Sequence, residues 1–303
     1  MSLNPTRLRH SALVYESQDE YLARAVPFLE EGIAAGEGAI VAHTKPGLTM
    51  MRDALGDDAQ RVRFVDVSSA YTRPAQTLAS YHQVYVEELE NTPTVRAVAD
   101  VQFGPDPAEW DLWTRYEAVF NRSFAHLPTW VICSYNANGT PDPIIDAVWQ
   151  THPEVAADDT WHESDRYEDP EDLMRRLTPE PEPLSGLRSV PFTRVEELRE
   201  RLAAELLAEG VSEAQVLDML MAATEIATNA IEHGGGVEDV RVGRARGRFV
   251  CEILDRGEGF DDPTAGYLAP RDGTGSGLWV ARQLTWQIEF FRSPAGFTAR
   301  LWL

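Results

Sequence analysis

The chain has 303 residues, of which 43% are hydrophobic, and this length and composition predict about two globular domains. Its formal net charge of −22 argues against nucleic acid as a direct partner, because nucleic acid binding depends on neutralising phosphates with Lys and Arg. Anionic membrane surfaces are disfavoured for the same reason.

The two cysteines lie in apolar runs. Cys133 follows Trp130-Val-Ile, and Cys251 lies within Phe249-Val-Cys-Glu-Ile-Leu. These contexts predict two buried strand thiols rather than a disulfide or a metal-binding pair. The first residues do not have the pattern of a signal peptide. No apolar run approaches the length of a membrane-spanning helix, which is about 18 residues. We therefore expect a cytoplasmic protein.

Residues 1–152 alternate short apolar runs with amphipathic stretches. The predicted strands are 11–15, 39–43, 62–67, 95–101 and 130–134. The predicted helices between them are 20–35, 48–55, 74–89 and 107–126. This alternation is typical of an α/β domain whose mainly parallel sheet carries helices on both faces. Ligands of such sheets bind at the carboxyl ends of the strands.

This first domain lacks a phosphate-binding loop. Lys45, the only lysine of the chain, is followed by Pro46 rather than by Ser or Thr. Gly36 and Gly38 precede a predicted strand instead of following one. We therefore expect no nucleotide in this domain.

A change of composition marks residues 153–183. Acidic residues crowd together between 158 and 172, and prolines follow at 179, 181 and 183. Such a stretch buries little apolar area, and its like charges extend it. The pattern predicts an acidic, Pro-rich interdomain linker with a short helix at 172–177.

Residues 184–303 form a second predicted domain. Its expected elements are strand 189–192, helices 195–209 and 212–233, strands 237–244 and 248–255, helix 277–284, and strands 286–291 and 298–303. Thr193 and Ser212 are expected to cap the first two helices.

Two polar residues share one face of the helix at 212–233. Glu225 and Asn229 lie four residues apart, so both project from the same side. An Asn offers Mg²⁺ a neutral oxygen. A carboxylate one turn earlier can orient or deprotonate the group that attacks a γ-phosphate.

Two glycine-containing segments complete the pattern. Asp255 can accept a hydrogen bond from the amino group of adenine, and Gly257 and Gly259 let the backbone turn beneath a base. In Gly273-Thr-Gly-Ser-Gly277 the backbone amides are free to face phosphate oxygens, with a helix N-terminus behind them. Thr298 in the last strand can bond the adenine edge.

Each segment alone has a plainer interpretation. The first could be a polar helix face, the second a tight turn and the third a flexible loop. In this order, however, each meets a different need of one ligand. The sequence therefore predicts a site for Mg-ATP.

Residues 184–303 resemble the GHKL ATPase superfamily, whose Bergerat fold is an α/β sandwich with a mixed sheet against helices. The N box corresponds to Glu225, Asn229 and His233, where His233 only supports the helix end. The G1 box corresponds to Asp255, Gly257 and Gly259. The G2 box spans Gly273, Thr274, Gly275, Ser276 and Gly277, followed by Leu278.

The short segment between Gly259 and Gly273 is most similar to the anti-sigma-factor serine kinase branch. That resemblance implies a serine/threonine protein kinase that uses ATP and Mg²⁺, with Glu225 as base and Asn229 as metal ligand. It further implies a sigma factor and an anti-sigma antagonist as partners, and a homodimer. The histidine kinase branch would need a phosphoacceptor helix. Neither His162-Glu163 nor His82 has the required context.

Residues 8–150 resemble the MEDS-type sensory domain, a RecA-like (Rossmann-like) α/β module. The matching features are His10 before the first strand, residues 28–38, residues 113–121, and Ile132-Cys-Ser-Tyr135. No ligand follows from them. Trp110, Trp113 and Tyr116 have helical spacing, typical of core packing or of an aromatic wall around a small ligand. The candidate pocket residues are His10, Glu37, Tyr116, Glu117 and Tyr135.

Three functions remain open at this point. The first is a cytoplasmic signalling regulator whose sensory domain responds to an unknown small molecule and controls the kinase module. The second is a protein that sequesters its partner in an ATP-dependent way without phosphoryl transfer. The third is an ATPase switch.

Overall fold

The computed structural model describes residues 7–68, 71, 73–157, 160–178, 182–270 and 275–303. The chain forms two compact units, one extending to Leu177 and the other beginning at Thr178, with the short stretch Arg73–Gln76 grouped with the second. Among the described helices, none has the length and apolar character that crossing a membrane requires.

The N-terminal domain is built on a seven-stranded sheet of order β3-β2-β4-β5-β1-β6-β7. The strands are β1 (Arg9–Tyr15), β2 (Gly38–His43), β3 (Val62–Asp66), β4 (Val95–Asp100), β5 (Thr129–Asn136), β6 (Glu154–Ala157) and β7 (Thr160–Glu163). Every neighbouring pair is parallel except β6 and β7. The predicted mainly parallel α/β sheet is confirmed. His10 lies inside β1 rather than before it.

Helices cover both faces of this sheet. They are α1 (Gln18–Ala34), α2 (Lys45–Leu55), α3 (Pro74–Leu89), α4 (Pro107–Ser123), α5 (Asp142–Thr151) and α6 (Pro170–Leu177), with a 3-10 helix at Gly56–Arg61. On one face, α1 and α2 pack against strand residues such as Val41 and Ile132. Helix α5 was not predicted, because its ten residues begin in a Pro-Asp-Pro sequence that is typical of a turn.

The segment expected to be an interdomain linker contains ordered elements up to Leu177. Strand β6 pairs with β1, and β7 pairs back on β6. Trp161 of β7 packs edge-on against Trp130, and Leu173 and Met174 of α6 are buried. A few buried apolar residues thus fix this segment, in which Glu163, Asp165 and Asp172 are exposed. The average composition of the segment does not show this.

The C-terminal domain is a five-stranded sheet packed against helices. Its elements are β8 (Arg188–Ser189), α7 (Val195–Ala208), α8 (Glu213–Glu232), β9 (Val237–Ala245), β10 (Arg248–Asp255), α9 (Gly277–Leu284), β11 (Gln287–Ser293) and β12 (Gly296–Trp302). The strand order is β11-β12-β10-β9-β8, and each described pair is antiparallel. The sheet is antiparallel, whereas a mixed sheet was expected. Short turns join β9 to β10 and β11 to β12, and strands joined by short turns pair in antiparallel fashion.

Apolar residues of α7, α8 and one sheet face form the core of this domain. Leu202 of α7, Met219 of α8 and Leu301 of β12 are fully buried in it. Ser212 caps α8 as predicted, since its side chain accepts a hydrogen bond from the amide of Gln215. The N-cap residue of α7 is Arg194, not Thr193 as predicted. The amide and the hydroxyl of Thr193 both donate hydrogen bonds to the carboxylate of Glu197.

Candidate nucleotide site

Helix α8 places the first two predicted site residues at the edge of the core. Ala223, Ile226 and Ala227 point into the core, whereas Glu225 and Asn229 lie one turn apart and are half-buried. Among the described residues, the carboxamide of Asn229 has no hydrogen-bond partner within the chain. It is therefore available to a ligand.

Glu225 lies directly against the start of α9. A Cβ built on Gly277 would stand 2.4 Å from Oε2 of Glu225, so only glycine leaves room for this carboxylate. The structure thereby brings the predicted base of α8 to the backbone of the third phosphate-loop glycine. Ser276, the N-cap residue of α9, makes no side-chain capping hydrogen bond, so its side chain does not occupy the amides of the first turn.

Asp255 sits at the end of β10, close to the end of α8. Its Oδ1 accepts a hydrogen bond of 2.7 Å from the amide of Gly257. A Cβ on Gly234, just after α8, would stand 2.5 Å from the carboxyl carbon of Asp255, and a Cβ on Gly257 would stand 2.9 Å from Cα of Gly234. Burial raises the pKa of Asp255, while the Gly257 hydrogen bond opposes the rise. The carboxylate is fixed in a partly desolvated corner that suits recognition of an amino group.

The turn after Asp255 depends on a glycine with positive φ. Gly259 has φ of +66°, and a Cβ there would stand 2.1 Å from the ring of Phe297. Phe297 lies in a cluster with Phe260 and Phe290, at centroid distances of 5.2 and 5.9 Å. An aromatic surface thus lines the sheet next to Asp255.

Not every predicted site residue is placed as expected. Gly273 and Thr274 lie outside the described residues. Gly275 has φ of +70°, with open space where a Cβ would be. Leu278 lies in the first turn of α9, against Gly266. The side chain of His233 is 77% exposed, and its amide donates to the carbonyl of Asn229, so it ends the helix.

Thr298 does not share a face with Asp255. Asp255 pairs with Phe297 across the β10–β12 ladder, and Thr298 pairs with Leu254. Because alternate strand residues point to opposite faces, Thr298 points away from the helix-covered face, and Phe297 occupies the position expected for Thr298. The prediction for Thr298 was off by one residue, which reverses the face.

Sequence reasoning missed three residues near this site. Gly234 permits the close approach of α8 to Asp255, and the run Gly234-Gly-Gly236 was a signal for it. Phe297 was visible only as an apolar strand residue. Arg282 of α9 is buried, and its Nε donates to the carbonyl of Ala265 at 2.6 Å. It ties the segment after Gly259 to α9, a contact that no local pattern shows.

Three of the five predicted pocket residues of the N-terminal domain come together, and a fourth lies beside them. On the sheet face that α4 and α5 cover lie His10 of β1 and Tyr135 of β5, and Glu117 of α4 faces them. Nε2 of His10 is 3.6 Å from Oε2 of Glu117. Tyr116 borders a small cavity that Glu117 also lines. Trp113 and Tyr116 are both buried in the aromatic packing around it.

Glu37 is placed elsewhere. Its Oε2 accepts a hydrogen bond of 2.6 Å from Nε of Arg96. A second nitrogen of the same guanidinium donates to the carbonyl of Phe28 in α1. Arg96 is paired with Trp130, so this buried ion pair lies on the opposite sheet face from His10. Glu37 therefore pairs with Arg96 and does not line a pocket with His10.

The carboxyl ends of β4 and β5 border an open cleft of about 360 Å³. Asp100, Gln102, Tyr135 and Asn136 are among its lining residues. This is the edge of a parallel sheet where ligands bind in open α/β folds.

Comparison with known families agrees with this architecture. Residues 9–153 match the family model of MEDS, the methanogen/methylotroph, DcmR sensory domain. Residues 191–302 match the model of the histidine kinase-like ATPase domain. No curated protein matches the chain.

The two matches confirm the domain layout that both resemblances implied. The chain carries a sensory domain followed by an ATP-binding, kinase-like domain of the GHKL type. This arrangement is that of a signalling regulator.

The residues of the C-terminal domain fit Mg-ATP. Asn229 offers a carboxamide oxygen on the half-buried edge of α8, and the backbone at Gly275 borders open space where a Cβ would be. Asn229 would hold the metal ion, Asp255 the adenine amino group, and the amides from Gly275 to Gly277 the phosphates.

Proposed function

We propose that the protein is an ATP-dependent serine/threonine protein kinase of the anti-sigma-factor type, controlled by its MEDS domain. The observation that carries the proposal is the contact between Glu225 and the backbone of Gly277, which brings a carboxylate to the start of the phosphate-binding helix. A carboxylate at this point can accept the proton of an attacking hydroxyl, or can orient a water molecule in an ATP-binding domain that transfers no phosphate.

The proposed chemistry depends chiefly on positioning. Bound Mg-ATP supplies the transferable phosphoryl group. Asp255 fixes the base end of the nucleotide, Asn229 orients the metal end, and Glu225 accepts the proton of an attacking Ser or Thr hydroxyl. The first-turn amides of α9 neutralise charge on the phosphate oxygens.

Phosphoryl transfer can be tested with radiolabelled ATP and the cytosolic proteins of the source organism. We expect the purified protein to label one or a few proteins on Ser or Thr. Glu225→Gln should reduce the labelling by about 10²–10⁴-fold, because it removes a general base. It should leave ATP affinity nearly unchanged, because an amide of equal size still fits against Gly277.

Matched variants test the role of Asn229, and the products formed separate the kinase from the other two functions. Asn229→Ala should weaken Mg-dependent ATP binding by about 10–100-fold. Met221→Ala, at an exposed position of the same helix, should not change it. ATP binding without any labelled protein would favour a sequestering protein, and steady ADP release without an acceptor would favour an ATPase switch.

The partners are the least constrained part of the proposal. The resemblance to anti-sigma kinases supports a sigma factor as the sequestered protein and an antagonist as the phosphorylated one, with the kinase as a homodimer. Capture with and without ATP, followed by mass spectrometry, would identify both. Recovery of neither class would contradict this part while leaving the kinase activity intact.

A further inference from the structure

Four buried side chains of the N-terminal domain converge between the sheet and two helices. His10 comes from β1, Glu117 from α4, Cys133 from β5 and His152 from the end of α5. One ligand-type atom of each lies within 4.8 Å of all the others. We propose that these four residues bind one divalent metal ion of the zinc class, through Nε2 of both histidines, the Glu117 carboxylate and the Cys133 sulfur.

Three of the six ligand-atom separations are close to those of a tetrahedral ion, and the others are within 4.8 Å. With bonds of about 2.0–2.3 Å, the ligand atoms of tetrahedral zinc lie about 3.3–3.8 Å apart. Nε2 of His10 is 3.2 Å from Sγ of Cys133 and 3.6 Å from Oε2 of Glu117. Nε2 of His152 is 3.8 Å from the same Oε2. Small side-chain adjustments therefore suffice for coordination.

Outer contacts set both histidines in the tautomer that a metal needs. Nδ1 of His10 faces Oδ1 of Asn121 at 3.0 Å, and the amide orientation of Asn121 is fixed because its Nδ2 donates to the carbonyl of Thr151. Nδ1 of His152 faces the carbonyl of Val148 at 2.9 Å. Both Nδ1 atoms therefore carry the proton, and both Nε2 lone pairs point into the cluster.

Those lone pairs face a carboxylate that is itself unpartnered. Among the described buried atoms, both oxygens of Glu117, Nε2 of His152 and the hydroxyl of Tyr135 lack a hydrogen-bond partner by distance and angle, and the Tyr135 hydroxyl is a donor beside Glu117. Acceptors that face one another in a dry interior are costly unless a proton or a cation lies between them. A metal ion would satisfy all of them at once.

The charges also balance. A thiolate and a carboxylate together neutralise a divalent ion, and two neutral imidazoles complete the set. Beside Glu117 and Cys133 lies a cavity of about 10 Å³, lined by Tyr71, Tyr81, Tyr85 and Tyr116 among others. It has room for one water-sized group next to the ion.

Metal analysis of the tag-free, full-length protein tests the proposal. After chelator treatment and dialysis against Zn²⁺, we expect about one zinc per chain by elemental analysis. With Co²⁺ instead, a thiolate-to-cobalt charge-transfer band should appear in the near ultraviolet. Cys133→Ser should abolish that band, and Glu117→Gln and His152→Ala should each weaken metal binding by at least about tenfold.

Two control variants keep the result specific. Cys251→Ser changes the other buried cysteine, which packs in the core of the C-terminal domain, and should leave the band unchanged. His82→Ala changes a histidine on α3 and should leave zinc content unchanged. Folding of each variant is checked by its circular dichroism and by ATP binding of the other domain.

The alternative is a metal-free cluster in which a protonated Glu117 donates to one histidine. In that case the wild-type protein would take up no zinc, cobalt, nickel, copper or iron, and none of them would raise its melting temperature. This result overturns the proposal. Retention of full metal content by folded Glu117→Gln and Cys133→Ser variants would also overturn it.

Discussion

At the scale of single residues, the nucleotide site depends on glycines that leave room for specific neighbours. Glu225 fills the space of a missing Cβ at Gly277, and Gly234 and Gly257 pack on each other beside Asp255. The positions of Gly257 and Gly277 in the motifs could be predicted from the sequence, since glycine is the residue used where backbone must approach a ligand or another chain segment, whereas Gly234 was missed. Which side chain each glycine accommodates could not, because that depends on tertiary packing.

Gly277→Ala should impair activity more than stability. The new Cβ would stand 2.4 Å from Oε2 of Glu225, the movable end of a half-buried side chain, so the carboxylate swings away and the fold survives. We expect a free energy of unfolding within about 1 kcal/mol of the wild type and a loss of phosphoryl transfer of about tenfold or more.

The matched control is Gly257→Ala, whose Cβ would stand 2.9 Å from the Cα of Gly234. Backbone cannot move aside as a carboxylate does, so this variant should lose stability as well. Urea unfolding and the labelling assay measure both effects. Equal stability losses in the two variants would contradict this account of Gly277.

Asp100 gives the N-terminal domain a predictable response to pH. Burial raises the pKa of Asp100 to about 6 from the ordinary value of 3.8. The titratable groups facing it are His43, whose Nδ1 is 3.2 Å from Oδ2, and Tyr15 and Tyr21. A carboxyl with a raised pKa stabilises the fold fully below its unfolded pKa, and this contribution is lost as the pH rises through about 6.

Asp100→Asn removes that titration. The full shift corresponds to about 3 kcal/mol, and we expect the variant to gain about 1–2 kcal/mol over the wild type at pH 8. At pH 4 the gain should vanish, since Asp100 is then protonated in the folded state. Urea unfolding of both proteins at the two pH values checks this. A gain that is equal at both would show that the carboxyl charge is not the cause.

At the scale of elements, sequence patterns predicted the regular segments well and the irregular region after residue 153 poorly. Helix α3, strand β10 and helix α9 have the predicted bounds. Each has a clear period and a flanking turn signal. Helix α6 was predicted at 172–177 and begins two residues earlier, at Pro170. Strands β6 and β7 lack these signals, and only a few apolar residues such as Val155 hold them. Long-range pairing with β1 decides their structure, and no local pattern records it.

Leu173→Ala measures whether α6 belongs to the N-terminal domain. Leu173 is 0% exposed, so its truncation should cost about 2–4 kcal/mol of unfolding free energy. Leu207→Ala, at a position that is 54% exposed on α7, should cost less than about 0.5 kcal/mol. Thermal or urea unfolding compares the two variants. An effect of Leu173→Ala as small as that of the control would mean that α6 is only a solvated spacer.

At the scale of the whole molecule, the sequence predicted two α/β domains in the right order, and the structure and family matches confirm them. The candidate Mg-ATP site could be proposed from the sequence because its residue types occur in three separate short motifs. The four-residue cluster around Glu117 was not, since its members come from β1, α4, β5 and the end of α5. Only the fold brings together residues that are so far apart in sequence.

The net charge of −22 should make stability depend on salt. Excess like charge destabilises a compact state by self-repulsion, and salt screens this repulsion over a Debye length that falls from about 30 Å at 0.01 M to about 10 Å at 0.1 M. We expect the melting temperature to rise by a few degrees over this range. A calorimetric scan series in NaCl measures it. A melting temperature that fell with salt would show that attractive ion pairs outweigh the net repulsion.

The position of β1 inside its sheet affects how the protein is made. This strand is synthesised well before its partners on both sides, because β5 and β6 begin more than about 110 residues later in the chain. At ribosomal speeds of roughly 5–20 residues per second, β1 waits on the order of ten seconds with both edges unpaired. Unpaired edges invite aggregation, so the nascent chain should depend on chaperones during that interval.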